Sequence, residues 1–364
     1  MKVITVLGAR PQFIKASPVS RALKNTAGIE EILVHTGQHF DDNMSAIFFQ
    51  EMEIPEPKYF LNINGLGHGA MTGQMLEAIE KILLQEKPDL VMVYGDTNST
   101  LAGALAACKL HIPVAHIESG LRSHNLLMPE EYNRLLTDRI ASLLFVPTIS
   151  GIQNLKAEGF SNFKCEIILN GDVMLDAALY FSKKPELVSA PIRELIQHTP
   201  EFVLATIHRQ ENTDNLTALR NIISALNEID KQKPVVLPLH PRTRKVLEKN
   251  DFRIDFKTIE PVGYIDMLQL IVKSGLVITD SGGLQKEAFF MNKYCLTIRT
   301  ETEWTELVEK GYNFICGSDK QAILTHFKKW FGAEIKDAPP LYGNGNSSEI
   351  IAQNILSYLR NEKI

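Results

Sequence analysis

Residues 90–109, LVMVYGDTNSTLAGALAACK, carry the pattern that decides the fold. Leu90–Tyr94 is apolar without a polar alternation, and a helix is predicted over Ser99–Leu110. A strand that is apolar on both faces and leads into a helix is typical of a parallel sheet covered by helices on both sides. The polar residues 95–100 fall where that strand ends, which is where such folds bind their ligands.

The same alternation of strand and helix runs through most of the chain and restarts once. The first set of predicted strands is Val3–Leu7, Glu31–His35, Leu90–Tyr94, Val114–Ile117, Leu143–Pro147 and Cys165–Leu169. The second set is Phe202–Ile207, Val235–Leu239, Lys257–Ile259, Leu276–Thr279, Tyr294–Ile298 and Asn313–Cys316. We therefore predict an α/β protein of two Rossmann-like doubly wound domains that face each other across a cleft.

A segment with three prolines, at 185, 191 and 200, separates the two sets of strands. It places an N-terminal domain at residues 1–184 and a C-terminal domain at residues 185–346. A further helix is predicted near Met44–Met52. The chain ends in a predicted helix that runs to about Arg360, with Ser347 or Ser348 as its N-cap.

The composition excludes several classes of protein. With 45% hydrophobic residues, 22% charged residues and a net charge of −5, the chain is globular and offers no basic surface for nucleic acid. No apolar run approaches the roughly 20 residues of a membrane helix, and MKVITVLGARPQ is interpreted as a strand, not a signal peptide. The widely spaced cysteines at 108, 165, 295 and 316 favour a reduced, cytoplasmic protein with buried thiols and no metal site.

In the first domain, three clusters carry candidate chemistry. The turn 8–11, with Arg10 and Lys15, opens a helix and predicts an anion site, although a turn with surface charges fits too. Asp96 lies among residues that also suit helix N-caps. Glu118 ends a buried strand, where a carboxylate needs a partner or a function. Glu130 and Arg134 are four residues apart, so a surface ion pair is the alternative.

In the second domain, two His-Arg clusters follow successive strands, at His208-Arg209 and at His240-Pro241-Arg242. Ser281-Gly282-Gly283 joins a strand to a helix start, which predicts a second anion site in backbone amides. Glu287 lies further along that helix, where it would bind ribose hydroxyls. One such turn in each domain predicts a nucleotide diphosphate that bridges the cleft.

The motifs GARPQFIK, GDTNSTLAGALAA, HIESGLRS, PEEYNR, LPLHPRT and TDSGGLQKEA resemble the non-hydrolysing UDP-N-acetylglucosamine 2-epimerase family over essentially the full length. The resemblance implies the fold of type B glycosyltransferases, a UDP-sugar substrate, a homodimer, and no metal or redox cofactor. It also implies that the terminal helix, residues 347–364, packs back on the first domain.

Carried over residue by residue, the resemblance assigns a role to each candidate. Asp96, Glu118 and Glu130 would be acid/base carboxylates, and Arg134 and His208 would contact the diphosphate and the reacting centre. The other substrate-binding residues would be Arg10 and Lys15 near diphosphate and sugar, His240 on the nucleotide side, Tyr264 at uracil, Ser281, Gly282 and Gly283 on phosphate, and Glu287 on ribose.

Where the sequence departs from the family pattern, it resembles a subgroup that acts on UDP-2,3-diacetamido-2,3-dideoxy-glucuronate, a precursor of surface polysaccharides. Trp304 stands where members acting on UDP-N-acetylglucosamine usually carry arginine, and the stretch after Gly120 is shortened. Asp41 stands where the family's regulatory site has a glutamine. Trp304 is expected to be a wall of the sugar pocket, and Arg122 or His124 is expected to meet the sugar carboxylate.

The family mechanism removes UDP from C1 and the proton from C2, and then adds both back through a 2-acetamidoglycal. The alternatives are an epimerase of UDP-N-acetylglucosamine itself, a hydrolysing relative that releases free sugar, a retaining glycosyltransferase, and a non-catalytic nucleotide-sugar sensor. Product analysis separates the hydrolysing relative from a non-hydrolysing epimerase. A glycosyltransferase would need an acceptor site, for which the sequence gives no evidence, and a test for turnover would decide on the sensor.

Overall fold

A computed structural model describes residues 1–38, 49 and 52–361 of the chain. It divides into two compact units: unit 1 is Met1–Ala177 with Pro340–Ile364, and unit 2 is Ala178–Pro339. The boundaries predicted from the sequence, after residues 184 and 346, each lie a few residues further along the chain. The helix predicted near Met44–Met52 lies almost entirely outside the described residues.

Unit 1 is built on a seven-stranded parallel sheet with the order β3-β2-β1-β4-β5-β6-β7. Its strands are β1 (Lys2–Leu7), β2 (Glu30–His35), β3 (Tyr59–Phe60), β4 (Leu90–Tyr94), β5 (Val114–Ile117), β6 (Leu143–Val146) and β7 (Glu166–Leu169). All five residues of β4 are fully buried, as expected for a central strand covered on both faces. The strand order reverses between β1 and β4. The gap between these two strands is therefore the topological switch point, where such sheets bind ligands.

Helices cover both faces of this sheet. Their bounds in unit 1 are Arg10–Lys24, His68–Glu86, Asn98–Lys109, Pro129–Ile140, Ile149–Ala157 and Ser347–Asn361, and Val173–Phe181 continues into unit 2. The helix His68–Glu86 buries Met71, Met75, Ile79 and Ile82 at helical spacing against strand residues of the core.

Unit 2 repeats this plan with six parallel strands in the order β10-β9-β8-β11-β12-β13. They are β8 (Val203–Thr206), β9 (Val235–Pro238), β10 (Lys257–Ile259), β11 (Leu276–Thr279), β12 (Cys295–Thr297) and β13 (Asn313–Ile315). Its helices are Ala190–His198, Gln210–Thr213, Leu216–Asp230, Pro241–Lys249, Tyr264–Lys273, Gly282–Phe290, Thr305–Glu309 and Lys320–Trp330. The switch point of this sheet lies between β8 and β11.

The terminal helix Ser347–Asn361 contacts the helix Arg10–Lys24 within unit 1. The expectation that Ser347 or Ser348 is its N-cap is wrong, because Ser347 is already the first helical residue. The carboxylate of Asp176 accepts the backbone N–H groups of Ser347 and Ser348 at 3.2 and 2.7 Å. A side chain from a distant segment therefore satisfies the helix end that the serines were expected to cap.

The two parallel sheets confirm the predicted α/β class, and the predicted strands are present with ends that differ by a residue or two. β3 was not predicted. All four cysteines are free, but only Cys295 and Cys316 are buried, so the expectation of buried thiols is wrong for Cys108 and Cys165. Among the described residues, no helix is both long and apolar enough to cross a membrane.

Candidate functional site

Gln12 joins the two turns at the switch point of unit 1. Its Oε1 accepts the backbone N–H groups of Gly8 and Ala9 at 2.8 and 3.0 Å, and its Nε2 donates to the carbonyl of Tyr94 at 2.8 Å. A Cβ at Gly8 would lie 2.0 Å from Oγ1 of Thr36, so only glycine fits this turn. The carboxyl ends of β1 and β4 are thereby held in one arrangement.

Lys15 and Glu118 form an ion pair above this junction, and both side chains are largely buried. Glu118 has a φ of +68°, so the backbone turns sharply immediately after β5. Burial lowers the pKa of Lys15, but the charges of Glu118 and Asp96 outweigh it and leave that pKa raised. Lys15 is therefore a fixed cation, and the carboxylate predicted to need a partner has one.

Asp96 and Arg134 form a second pair beside the first, with 2.5 Å between Oδ2 and Nη1. Arg134 also bonds Glu131 at 2.6 Å, so the surface pair with Glu130 that the spacing allowed is not the contact it makes. Burial raises the pKa of Asp96, and the negative charges of Glu118 and Glu130 raise it further. The positive charges of Lys15 and Arg134 lower it, but the net effect is a raised pKa. Asp96, Glu118 and Glu130 are therefore electrostatically coupled.

Glu131 anchors the loop after Gly120. Its carboxylate accepts the backbone N–H groups of Ser123 and His124 at 3.0 and 3.1 Å, and the hydroxyl of Ser123 at 2.8 Å. Burial would raise the pKa of Glu131, but these bonds and Arg134 lower it to about 2. The loop is therefore tied to the helix that carries Glu130 and Arg134.

Arg122 does not fit the expectation that it meets a sugar carboxylate. Its side chain is 1% exposed, and it pairs with Asp138 and Glu158 at 2.7 Å each. His124 is exposed, with a φ of +57°. Arg10, the other candidate cation after a strand, is the partly exposed first residue of its helix. Of the two residues named for that role, only His124 presents an accessible side chain.

At the switch point of unit 2, His208 lies over Asp280. Asp280 is fully buried and accepts the backbone N–H groups of His208 and Arg209, each at 3.0 Å from Oδ2. Burial lowers the pKa of His208, and that effect exceeds the opposing effect of the Asp280 charge. His240 begins the next turn, with its ring centroid 5.7 Å from that of His208, so the two predicted histidines are brought together.

The turn Ser281-Gly282-Gly283 opens the helix Gly282–Phe290. The hydroxyl of Ser281 caps this helix by accepting the backbone N–H of Leu284 at 3.5 Å. Apart from its chain neighbours and its own helix backbone, no atom lies within 4 Å of a Cβ placed on Gly283, so there is open space beside this residue. The N–H of Ser281 donates to Oγ1 of Thr279 at 2.9 Å and that of Leu284 to Ser281, so the anion site predicted here would use the N–H groups of Gly282 and Gly283. Glu287 is buried one turn further along.

Trp304 is attached to the same turn. Its Nε1 donates to the carbonyl of Gly282 at 2.8 Å, and Nζ of Lys286 lies 4.0 Å from the centre of its ring system. Tyr264 is 4% exposed, and its ring packs edge-on against Phe181 with the centroids 6.3 Å apart. The Tyr264 ring is therefore largely shielded from solvent.

Several residues that shape these sites were missed by sequence reasoning. They are Gln12, His116, Glu131, Asp138 and Asp280, and all are buried. A polar side chain at the end of a buried strand was the available signal for His116 and Asp280, since burial of such groups requires partners. In the described part of the chain, no three His, Cys, Asp or Glu side chains cluster in a way that could hold a metal ion.

Two doubly wound parallel sheets, with coupled carboxylates and basic groups at one switch point and an open amide turn at the other, define an α/β enzyme. The chain belongs to the UDP-N-acetylglucosamine 2-epimerase family, whose sequence profile matches residues 21–356. This confirms the family predicted from the motifs.

The similarity covers nearly the whole chain. A UDP-2,3-diacetamido-2,3-dideoxy-D-glucuronate 2-epimerase of Pseudomonas aeruginosa is 53% identical over 354 residues, 97% of this chain and 99% of that protein. The crystal structure of Methanocaldococcus jannaschii UDP-GlcNAc 2-epimerase with UDP-GlcNAc and UDP has a TM-score of 0.85 and 43% identity, covering 98% of this chain and all of that one. The Neisseria meningitidis enzyme bound to UDP-GlcNAc has a TM-score of 0.84 and 32% identity, covering 98% of this chain and 100% of that one.

Proposed function

We propose that this enzyme inverts C2 of UDP-2,3-diacetamido-2,3-dideoxy-D-glucuronate to give the manno epimer. The observation that carries the proposal is that two ion pairs, Lys15–Glu118 and Asp96–Arg134, lie at one switch point. Their carboxylates could transfer protons, and their cations could stabilise the charge of the departing diphosphate. The choice of sugar is supported by the 53% identical Pseudomonas aeruginosa relative and by Trp304.

The proposed reaction has two balanced halves. A base takes the C2 proton, the C2–H electrons form the C1=C2 bond of a 2-acetamidoglycal, and the C1–O bond breaks with its electron pair leaving on UDP. UDP then adds back to C1 while an acid returns a proton to the opposite face of C2. Asp96, Glu118, Glu130 and His208 are the proposed acid/base groups.

The proposal assigns substrate-binding roles within each unit separately. Arg10, Lys15 and Arg134 of unit 1 would stabilise the diphosphate as its charge develops. In unit 2, the hydroxyl of Ser281 and the amides of Gly282 and Gly283 would bind phosphate, with Glu287 on the ribose and His240 and Tyr264 on the nucleotide side. We further propose a cytoplasmic homodimer that serves surface-polysaccharide synthesis.

The test is an NMR assay in deuterated water with the two candidate UDP-sugars, run with EDTA and without added nicotinamide. We expect the manno epimer with deuterium at C2, and faster turnover of the diacetamido sugar. Free 2-epimeric sugar with UDP would identify a hydrolysing enzyme instead. Activity that is lost with EDTA and restored by a divalent ion would contradict the metal-free reaction.

A further inference from the structure

Next to the carboxylates of unit 1 lies a series of hydrogen-bonded side chains, His116, Asp138 and Arg122, which is buried and ends at the exposed Glu158. His116 on β5 and Asp138 on the helix Pro129–Ile140 have fully buried side chains, with 2.7 Å between Nδ1 and Oδ1. Arg122 binds the second oxygen of Asp138 at 2.7 Å and pairs with Glu158. Each oxygen of Asp138 thus has a donor, and Arg122 lies between two carboxylates, as buried charges require.

The geometry determines where the protons of His116 are. Nε2 lies 2.7 Å from the carbonyl oxygen of Gly95, which only accepts, so Nε2 carries a proton. Nδ1 faces Asp138, whose carboxylate also accepts from Arg122 and from the backbone N–H of Gly120 at 3.1 Å. Burial raises the pKa of Asp138, but His116 and Arg122 outweigh it and leave that pKa lowered. Asp138 is ionised, and His116 donates from both nitrogens.

The hydrogen bonds of His116 and Asp138 reach the backbone of the two turns that carry the candidate acid/base carboxylates. Gly95, with a φ of +61°, precedes Asp96, and His116 holds its carbonyl. Glu118 and Gly120, with φ of +68° and +77°, form the turn after β5, and Asp138 holds the N–H of Gly120. One ion pair thus fixes both turns, including a non-glycine residue in a disfavoured backbone conformation.

We propose that His116 and Asp138 are positioning residues that hold Asp96 and Glu118 at a fixed separation for proton transfer. The proposal rests on the proposed function for the reaction it serves. Its structural content, a doubly donating His116 that restrains both turns, stands on the contacts alone.

The test uses His116→Gln and Asp138→Asn in the full-length protein. Glutamine reaches only one of the two partners and carries no charge, so both turns lose a restraint. A displacement of reacting groups by about 1 Å can cost on the order of 10²-fold. We therefore expect kcat to fall by about 10²-fold, with KM changed by less than a factor of about three. The amides of residues 95–96 and 119–120 should exchange with deuterium faster than in the wild type.

Two control variants separate positioning from general loss of stability. Thr137→Val changes a buried hydroxyl next to Asp138 while keeping the side-chain shape, and should leave kcat unchanged. Glu86→Gln weakens contacts with Lys2, Lys58 and Tyr59 at the amino-terminal edge of the same sheet. It should lower the melting temperature of the protein without lowering kcat.

Three results would overturn the proposal. They are a near-normal kcat in both test variants, an equal loss of kcat in Glu86→Gln at the same drop in melting temperature, or a ¹⁵N spectrum showing one unprotonated nitrogen in His116. If the wild type turned over neither UDP-sugar, the proposed function would fail. The ¹⁵N spectrum and the amide exchange would then still decide whether His116 restrains the turns.

Discussion

Nδ1 of His208 lies 3.3 Å from the buried carboxylate of Asp280, which also accepts the backbone N–H of the same histidine. Asp280 therefore holds the backbone of His208 by a hydrogen bond and faces its ring with a negative charge. A proton on Nδ1, facing Asp280, leaves Nε2 as the nitrogen that exchanges protons with a ligand. Because burial lowers the pKa of His208, the neutral ring is favoured, and this is the form that can act as a base.

We expect Asp280→Asn to lower kcat by about 10²- to 10³-fold, because the amide can present a donor to Nδ1 and favour the wrong tautomer. The check is kcat and KM for the epimerisation, with the melting temperature recorded. Thr206→Val is the matched control, since it alters a buried hydroxyl pair with Thr279 in the same layer. Near-normal kcat in Asp280→Asn would show that His208 needs no orienting carboxylate.

The coupled carboxylates of unit 1 give a second prediction. Asp96→Asn, Glu118→Gln and Glu130→Gln should each lower kcat by about 10²–10⁴-fold, or about 3–5 kcal/mol of transition-state stabilisation. Folding should survive, because each replacement is nearly isosteric. Steady-state kinetics with detection of released glycal would show which half-reaction each variant blocks. Three variants with near-full activity would contradict the acid/base assignment.

The pKa of Glu131 gives a third prediction, on stability against pH. It is lowered from 4.5 to about 2 in the folded chain, so folding favours the ionised form. This stabilisation is complete above pH about 4.5 and is lost as pH falls toward 2. The loss of unfolding free energy in Glu131→Gln should therefore be larger at pH 6 than at pH 3, as measured by urea denaturation. A pH-independent difference would contradict the assignment.

The sequence predicted those parts of the fold that depend on local pattern. Apolar runs such as Leu90–Tyr94 and the polar residues behind them were sufficient to place both sheets and most candidate residues. β3 was missed because Tyr59–Phe60 is too short to show a pattern. The pairs His116–Asp138 and Asp176–Ser348 were missed because they join residues far apart in the chain, which only the folded backbone brings within hydrogen-bond distance.

The last prediction concerns Trp304 and the choice of sugar. Its Nε1 binds the carbonyl of Gly282, at the start of the turn whose amides we propose bind phosphate. Nζ of Lys286 lies 4.0 Å from the centre of its ring system, a cation–π contact that an arginine would replace with like-charge repulsion. Trp304, the expected wall of the sugar pocket, is thus hydrogen-bonded to the proposed phosphate site.

Two substitutions separate these contributions. Trp304→Phe keeps an aromatic ring and loses one hydrogen bond, so kcat/KM for the diacetamido sugar should fall by about 5- to 10-fold with selectivity preserved. Trp304→Arg introduces the residue that the motif resemblance implies for members acting on UDP-N-acetylglucosamine, and should shift selectivity toward that sugar by at least about tenfold. The measurement is kcat/KM for both UDP-sugars on one preparation of each variant. Unchanged selectivity in Trp304→Arg would exclude Trp304 as a determinant of the substrate. The binding energy for the C3 and C6 groups of the sugar would then have to come from other residues.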